Sequence, residues 1–212
     1  MNDHPTYPGY DVLAKRDTPS WNERTRVVVA QRLATPTAPR FFTHAEWSAG
    51  NALCRRVMPG EVEVPLVALL DAKLLKNEGD GTRAETMPYM RKAWRRGLAG
   101  LDREARARDY RTFASLVEDA QDALLSDMQA GRLTGEAWDG IDPATFFRDR
   151  VLVDVPPLFY SLPSGWSEIG FGGPASPRGY VRLDGDRRDA WEAAEAETGR
   201  EWIAERENLH VV

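Results

Sequence analysis

From Phe41 to Leu152 apolar residues recur at spacings of three and four, in runs bounded by helix caps. That period places them along one face of an α-helix, again and again, and no βαβ pattern interrupts them. The first run has the strongest start. Thr43 is placed as N-cap with Glu46 three residues on, and Phe42 and Trp47 stand where a hydrophobic staple would close. Its stripe continues through Ala52, Leu53, Cys54 and Val57 to a stop at Pro59-Gly60. A second helix opens near Val64-Pro65, carries Leu66, Leu69, Leu70 and Leu74, and stops over 77–81. The third is predicted over Thr86 to Arg106, with Pro88 in its first turn and Met90, Trp94, Gly97, Leu98 and Leu101 inward. The fourth is predicted over Arg108 to Gln129, with Tyr110, Phe113, Val117, Ala120, Leu124 and Met128 inward and Gly131 as its stop. A fifth starts at Asp142-Pro143, an N-cap followed by proline, and turns Phe146, Phe147 and Leu152 inward.

The flanks lack this period. Five prolines break residues 1–40, which read as a disordered tail or as an arm that wraps the core or a partner. Within the arm, Ser20 to Leu33 can form one helix with Ser20 as cap. Residues 155–185 are rich in proline, glycine and aromatics, an aperiodic strap too long to be idle and too aromatic to be disordered. In 186–212 a polar helix is predicted from Arg187 to about Thr198, with a thin stripe of Trp191, Ala194 and Trp202. The expectation is an all-α, irregular domain of five to six helices: arm 1–40, helical core 41–154, extended strap 155–185, polar helix and tail 186–212.

Composition narrows the function. With 28 basic and 33 acidic residues the net charge is −5, which argues against a general nucleic-acid binder. One cysteine excludes an internal disulfide and a cysteine-held metal cluster, and three histidines leave little for a triad. His44, the one histidine away from the termini, sits in the first turn of a helix. Cys54 on a helix stripe reads as a small buried hydrophobe, or as a reactive thiol if Arg55 and Arg56 lower its pKa. Asp71 lies among leucines and asks for a partner, for which Arg91, Arg95 and Arg96 are the natural candidates. Asp102 and Glu104 read as a solvated helix face, and Gln121 and Asp122 as a tie from helix to loop. The run Gly170-Phe171-Gly172-Gly173 is followed by Pro174 and Pro177 rather than by a helix, so it reads as a stiffened turn and not as a phosphate loop. No catalytic, cofactor-binding or metal-binding residue emerges. No run approaches the roughly 18 apolar residues of a membrane span, and no export signal opens the sequence. The expectation is cytoplasmic, or exported on the signal of a partner.

An ordered set of residues resembles a known family. It comprises Phe41-Phe42-Thr43 with Glu46-Trp47, Cys54 to Pro59, Gly97-Leu98 with Leu101-Asp102, and Phe113 with Leu116, then Gln121-Asp122, Leu124-Leu125 and Gly131. It closes on Phe146-Phe147 and on Trp166, Ile169 to Pro174 and Pro177 to Tyr180. Over residues 40–184 this is similar to the gluconate 2-dehydrogenase subunit 3 family. The resemblance implies a small helical subunit with no cofactor of its own. Its partner would be a large flavin-dependent dehydrogenase of the glucose–methanol–choline type, which holds FAD and oxidises a sugar or polyol. The small chain would support folding, assembly or stability of the large one. Members often begin with a twin-arginine signal, which this sequence lacks.

On that reading the partner-binding residues are Trp166, Ile169, Phe171, Pro174, Arg178 and Tyr180 on the strap and Tyr7, Tyr10 and Trp21 on the arm. Rigid aromatics lose little entropy on docking. Seven tryptophans against three histidines and one cysteine suit a protein of anchors more than one of chemistry. The other readings are a stand-alone helical enzyme using Asp71 or Asp102 on a sugar-like substrate, and a self-associating scaffold.

Overall fold

The computed structural model describes residues 5–77, 79, 85–109, 112–174, 179, 185 and 187–211. All regular structure among them is helical, as the spacing predicts. In chain order the helices are α1 (Glu23–Leu33), α2 (His44–Val57), α3 (Leu66–Lys76), α4 (Met90–Asp109), α5 (Glu118–Gln129), α6 (Pro143–Phe146), α7 (Leu152–Phe159), α8 (Pro163–Glu168) and α9 (Glu201–Asn208). The chain forms two compact units. One comprises Thr35–Gly60 and Val64–Leu158; the other comprises Met1–Ala34, Glu61–Glu63 and Phe159–Val212.

The central unit holds the periodic helices. α2 starts on its capping box: Thr43 Oγ1 accepts the Glu46 N–H at 3.2 Å, and the Glu46 carboxylate accepts the Thr43 N–H at 2.8 Å. α3 follows Pro65 and ends on Asn77 in the left-handed region, which asparagine tolerates. α4 buries Met90, Ala93, Trp94, Leu98, Leu101 and Ala105 along one side. Two glycines on it admit rings. A Cβ on Gly97 would collide with Phe146, and one on Gly100 would stand 2.6 Å from Trp138. Phe146 in turn meets Trp94 edge-on at 5.5 Å and Trp138 at 6.1 Å, so α4 packs around an aromatic cluster.

Three sequence expectations shift here. The third helix starts at Met90, not Thr86, because Pro88 keeps the residue before it out of helical geometry. The fourth starts at Glu118, not Arg108. Ahead of it lies a 3₁₀ turn, Phe113–Ser115, held by side chains: Asp102 accepts the Phe113 N–H at 2.9 Å, and the Gln121 amide donates to the Phe113 and Leu116 carbonyls at 3.1 Å. Those bonds satisfy the backbone that a helix would otherwise satisfy. Tyr110 lies outside the described residues. The fifth helix begins on Asp142 and Pro143 as expected, then widens into a π-turn over Phe147–Val151. The wide turn changes the register, so Val151 and Val155 point inward while Leu152 is exposed.

The second unit is assembled from the two ends of the chain. α1 starts at Glu23, with Asn22 rather than Ser20 as its cap; Asn22 Oδ1 accepts the Thr25 N–H at 2.9 Å. The strap is only partly extended. α7 carries Pro156 and Pro157 on to Phe159, α8 follows with Pro163 in its first turn, and irregular backbone resumes only after Glu168. The polar helix expected over 187–198 is absent, and α9 forms at 201–208 instead. The reason is tertiary. The Asn208 side chain accepts the Ala194 N–H at 2.7 Å and donates to the Ala194 and Pro8 carbonyls at 2.9 Å, and the Ala196 N–H bonds Thr6 O at 2.8 Å. Pinned from two sides, the backbone of 193–197 cannot coil.

Candidate functional site

The end-built unit is organised by aromatics of the arm and the strap. Tyr10, Val12, Trp21, Val29, Trp166 and Val211 form its buried cluster, with Tyr7, Leu13, Leu33 and Phe171 packed against it. Trp21 and Trp166 meet edge-on at 6.2 Å, and Trp166 meets Phe171 edge-on at 5.9 Å. Buried indole N–H groups need acceptors, and both find backbone. Trp21 Nε1 donates to Gly172 O at 3.2 Å, and Trp166 Nε1 donates to Tyr160 O at 2.7 Å. The glycine run makes this approach possible. Gly170 (φ +67°) and Gly173 (φ +73°) hold left-handed turns, and a Cβ on them would stand 2.6 Å from Tyr7 and 2.9 Å from Trp21. The reading of this run as a stiffened turn matches that geometry.

The structure thus places the anchor residues unevenly. Trp21 (1% exposed), Tyr10 (6%) and Trp166 (6%) are consumed by one another. They pack into the unit's own buried cluster and do not stand at its surface. The arm and the strap supply each other's aromatic side chains with a hydrophobic contact. Tyr7 and Phe171 are half-buried on the same cluster. Ile169 (47% exposed) and Pro174 remain on the surface. Arg178 and Tyr180 lie outside the described residues.

Sequence reasoning did not single out all the apolar side chains that this unit exposes. Val27 (43%) and Val28 (46%) stand out of α1, and Trp202 and Leu209 stand out of the C-terminal segment. The available signal was three consecutive valines in a helix of eleven residues, of which one face can bury only some. A groove of about 200 Å³ opens beside them. Val28, Val29, Trp166 and Pro174 line it together with Asn22, Arg24, Thr25 and Arg32.

The groups considered for chemistry in the central unit are engaged structurally. Asp71 is buried, and its carboxylate accepts three backbone N–H groups, of Arg40, Phe41 and Phe42, at 3.0, 3.0 and 2.8 Å. The expected partners Arg91, Arg95 and Arg96 are therefore corrected. Arg95 instead donates to Phe41 O at 2.7 Å, and Arg91 and Arg95 lie over the Phe41 ring at 4.8 and 4.5 Å. Asp102 is tied to Phe113 N–H and stands 3.6 Å from Arg106. Cys54 is buried, and burial pushes its thiol up to about 12. Arg56, invoked to activate it, is turned to Asp122 by two bonds of 2.7 and 2.5 Å and to Glu118 at 2.7 Å. That pairing holds the Asp122 carboxyl below the usual carboxylate range. A second groove, about 480 Å³, runs past this pair between α2 and α5.

Asp154 is among the buried charges that went unread. It accepts from Lys73 Nζ at 2.8 Å and Trp94 Nε1 at 2.7 Å, with Arg150 at 3.7 Å. Its sequence signal is a carboxylate inside the apolar run 151–155. Among the described residues no group of three His, Cys, Asp or Glu could hold a metal ion, and no helix is long and apolar enough to cross a membrane.

The sequence model of one family, described as gluconate 2-dehydrogenase subunit 3, matches residues 44–173. No curated protein and no solved structure matches the chain.

Proposed function

The chain belongs to the gluconate 2-dehydrogenase subunit 3 family, and from that premise we propose that it is the small accessory subunit of a flavin-dependent sugar or polyol dehydrogenase. The partner on this reading is a large flavoprotein of the glucose–methanol–choline type, which carries the FAD and the reaction. The small chain carries neither. It contributes folding, assembly or stability of the large chain by covering part of its surface.

The match over residues 44–173 carries the reading, since it names a dehydrogenase subunit and covers more than half of the chain. The occupied carboxylates support it. Asp71 and Asp102 hold backbone N–H groups and are not aimed into an open cleft. Exposed apolar side chains such as Val27, Val28 and Ile169 are what the chain has to contribute, and burying such area drives most protein association.

Co-expression with a glucose–methanol–choline-type flavoprotein of the same genome tests the proposal. The two chains are expected to purify together, and the yield of flavin-loaded large subunit is expected to fall several-fold when the small chain is omitted. A large subunit that folds, holds flavin and turns over equally well alone, without retaining the small chain, overturns it. Dye reduction by the purified small chain with added FAD would also overturn it.

A further inference from the structure

We propose that Arg91 and Arg95, held over the Phe41 ring, form with Lys92 a binding site for an oxyanion, a phosphate or carboxylate group. The inference goes beyond the accessory-subunit reading and does not depend on it.

Without a ligand this placement of charge is unfavourable. Met90 to Arg96, the start of α4, carries four cations and no acid. Arg91 and Lys92 stand in the first turn, where the helix dipole disfavours positive charge. Arg91 and Arg95 are spaced i, i+4, and like charges at that spacing repel. Composition does not force this, because acids outnumber bases in the chain. Elsewhere in the same unit such charge is neutralised: Arg56, Arg103 and Arg108 meet carboxylates at 2.5, 2.9 and 2.7 Å. Arg91 and Lys92 are exposed, and among the described residues neither has a carboxylate partner. The acid beside Arg95 is Glu46, at 3.9 Å, whose other oxygen is taken by the Thr43 N–H.

Phe41 prepares the arginines for an anion. Their guanidinium carbons lie 4.8 and 4.5 Å from the centre of its ring, so one oxyanion can meet both. Stacking uses the flat face of a guanidinium and leaves its edge N–H donors in the fork geometry that matches a carboxylate or a phosphate. Arg91 makes no hydrogen bond to a described residue, so its whole fork is available. The ring itself is fixed. Phe41 is buried, its N–H is bonded to Asp71 at 3.0 Å, and its carbonyl accepts from Arg95 at 2.7 Å. A preorganised clamp loses little freedom when the anion docks. The site is made of side chains and calls on no helix-end N–H group. Because the ring is covered, what this face offers is charge and not apolar area. Three cations favour a phosphate dianion over a single carboxylate.

Titration of the full chain tests this, read from its amide and arginine side-chain NMR signals, with inorganic phosphate in one arm and acetate in the other. Sodium chloride is exchanged to hold ionic strength constant, so that screening does not mimic binding. Phosphate is expected to saturate one site with a Kd on the order of 1 mM, as suits exposed charges, and acetate to bind more weakly. Arg91→Gln and Lys92→Gln should each weaken phosphate binding by about fivefold or more. Arg55→Gln, which alters an exposed arginine of α2, should bind as wild type does. Saturation by either anion, with that loss in both variants, upholds the site, and the tighter anion identifies the group it takes. No saturation by either anion in the millimolar range overturns it, as does binding that Arg91→Gln and Lys92→Gln leave unchanged. Melting temperatures separate a purely structural role. If Arg91 only clamps Phe41, Arg91→Gln melts below wild type without phosphate and gains as much from phosphate as wild type does, which overturns the site. If Arg91 binds the anion, Arg91→Gln melts at or above wild type in low-salt, phosphate-free buffer and gains little when phosphate is added.

Discussion

At the scale of single residues, the carboxylate of Asp71 is the clearest case of a polar group placed for architecture. Three successive N–H groups, at positions 40, 41 and 42, converge on it, and these lead directly into the Thr43 cap. Asp71 therefore sets the path by which the chain enters α2. Replacing it with alanine leaves three backbone donors without their acceptor, two of them in bonds buried from water. Each such loss costs about 1–3 kcal/mol, so Asp71→Ala is expected to lower unfolding stability by about 3 kcal/mol or more in a denaturant titration. Asp71→Asn, which keeps one carbonyl oxygen, should lose less. Equal stability of all three proteins would show that the 40–42 segment is held by other means. That Asp71 needed a partner was legible from its leucine neighbours. Which partner was not, because backbone N–H groups leave no mark in a sequence, while Arg91 and Arg95 do.

At the scale of elements, the ties between helices carry the pH dependence. Arg56 of α2 grips Asp122 of α5 with two hydrogen bonds, which hold the Asp122 carboxyl below its ordinary range. A carboxyl depressed in the folded state stabilises it fully above the unfolded pKa, about 3.9 for aspartate. That contribution is lost as pH falls through the lower folded value. The melting temperature of Asp122→Asn should therefore lie below wild type at neutral pH, and the gap should close below about pH 4. A gap that stays constant down to pH 2 would mean that the charge of Asp122 contributes nothing. Helix starts were legible where a side chain caps its own helix, as at Thr43 and Asp142. They were not legible where distant groups take over the backbone. Gln121 and Asp102 replace a helical turn at 113–116, and Asn208 holds 193–197 out of a helix that composition favoured. The π-turn at 147–151 belongs with these, since one extra residue in a turn moves Leu152 outward with no change in composition.

At the scale of the whole molecule, the chain divides into a central unit, Thr35–Gly60 with Val64–Leu158, and a unit built from its two ends with Glu61–Glu63. The central unit is nearly continuous in sequence and has its own aromatic core at Trp94, Trp138 and Phe146. A fragment of residues 35–158 is expected to be helical and to melt cooperatively. Absence of a cooperative transition would show that the core needs the ends. The end-built unit has no such independence. Trp21 and Trp166 are 145 positions apart in the chain yet share an edge-on contact. This sets a timetable during synthesis. The N-terminal part of the end-built unit leaves the ribosome before the central ~120 residues are made, and at roughly 5–20 residues per second it waits on the order of 6–25 s for the strap to follow. Through that interval Tyr7, Tyr10 and Trp21 are bare. The segment made first is among the last to fold, and its aromatic side chains gain their contacts only when the strap arrives.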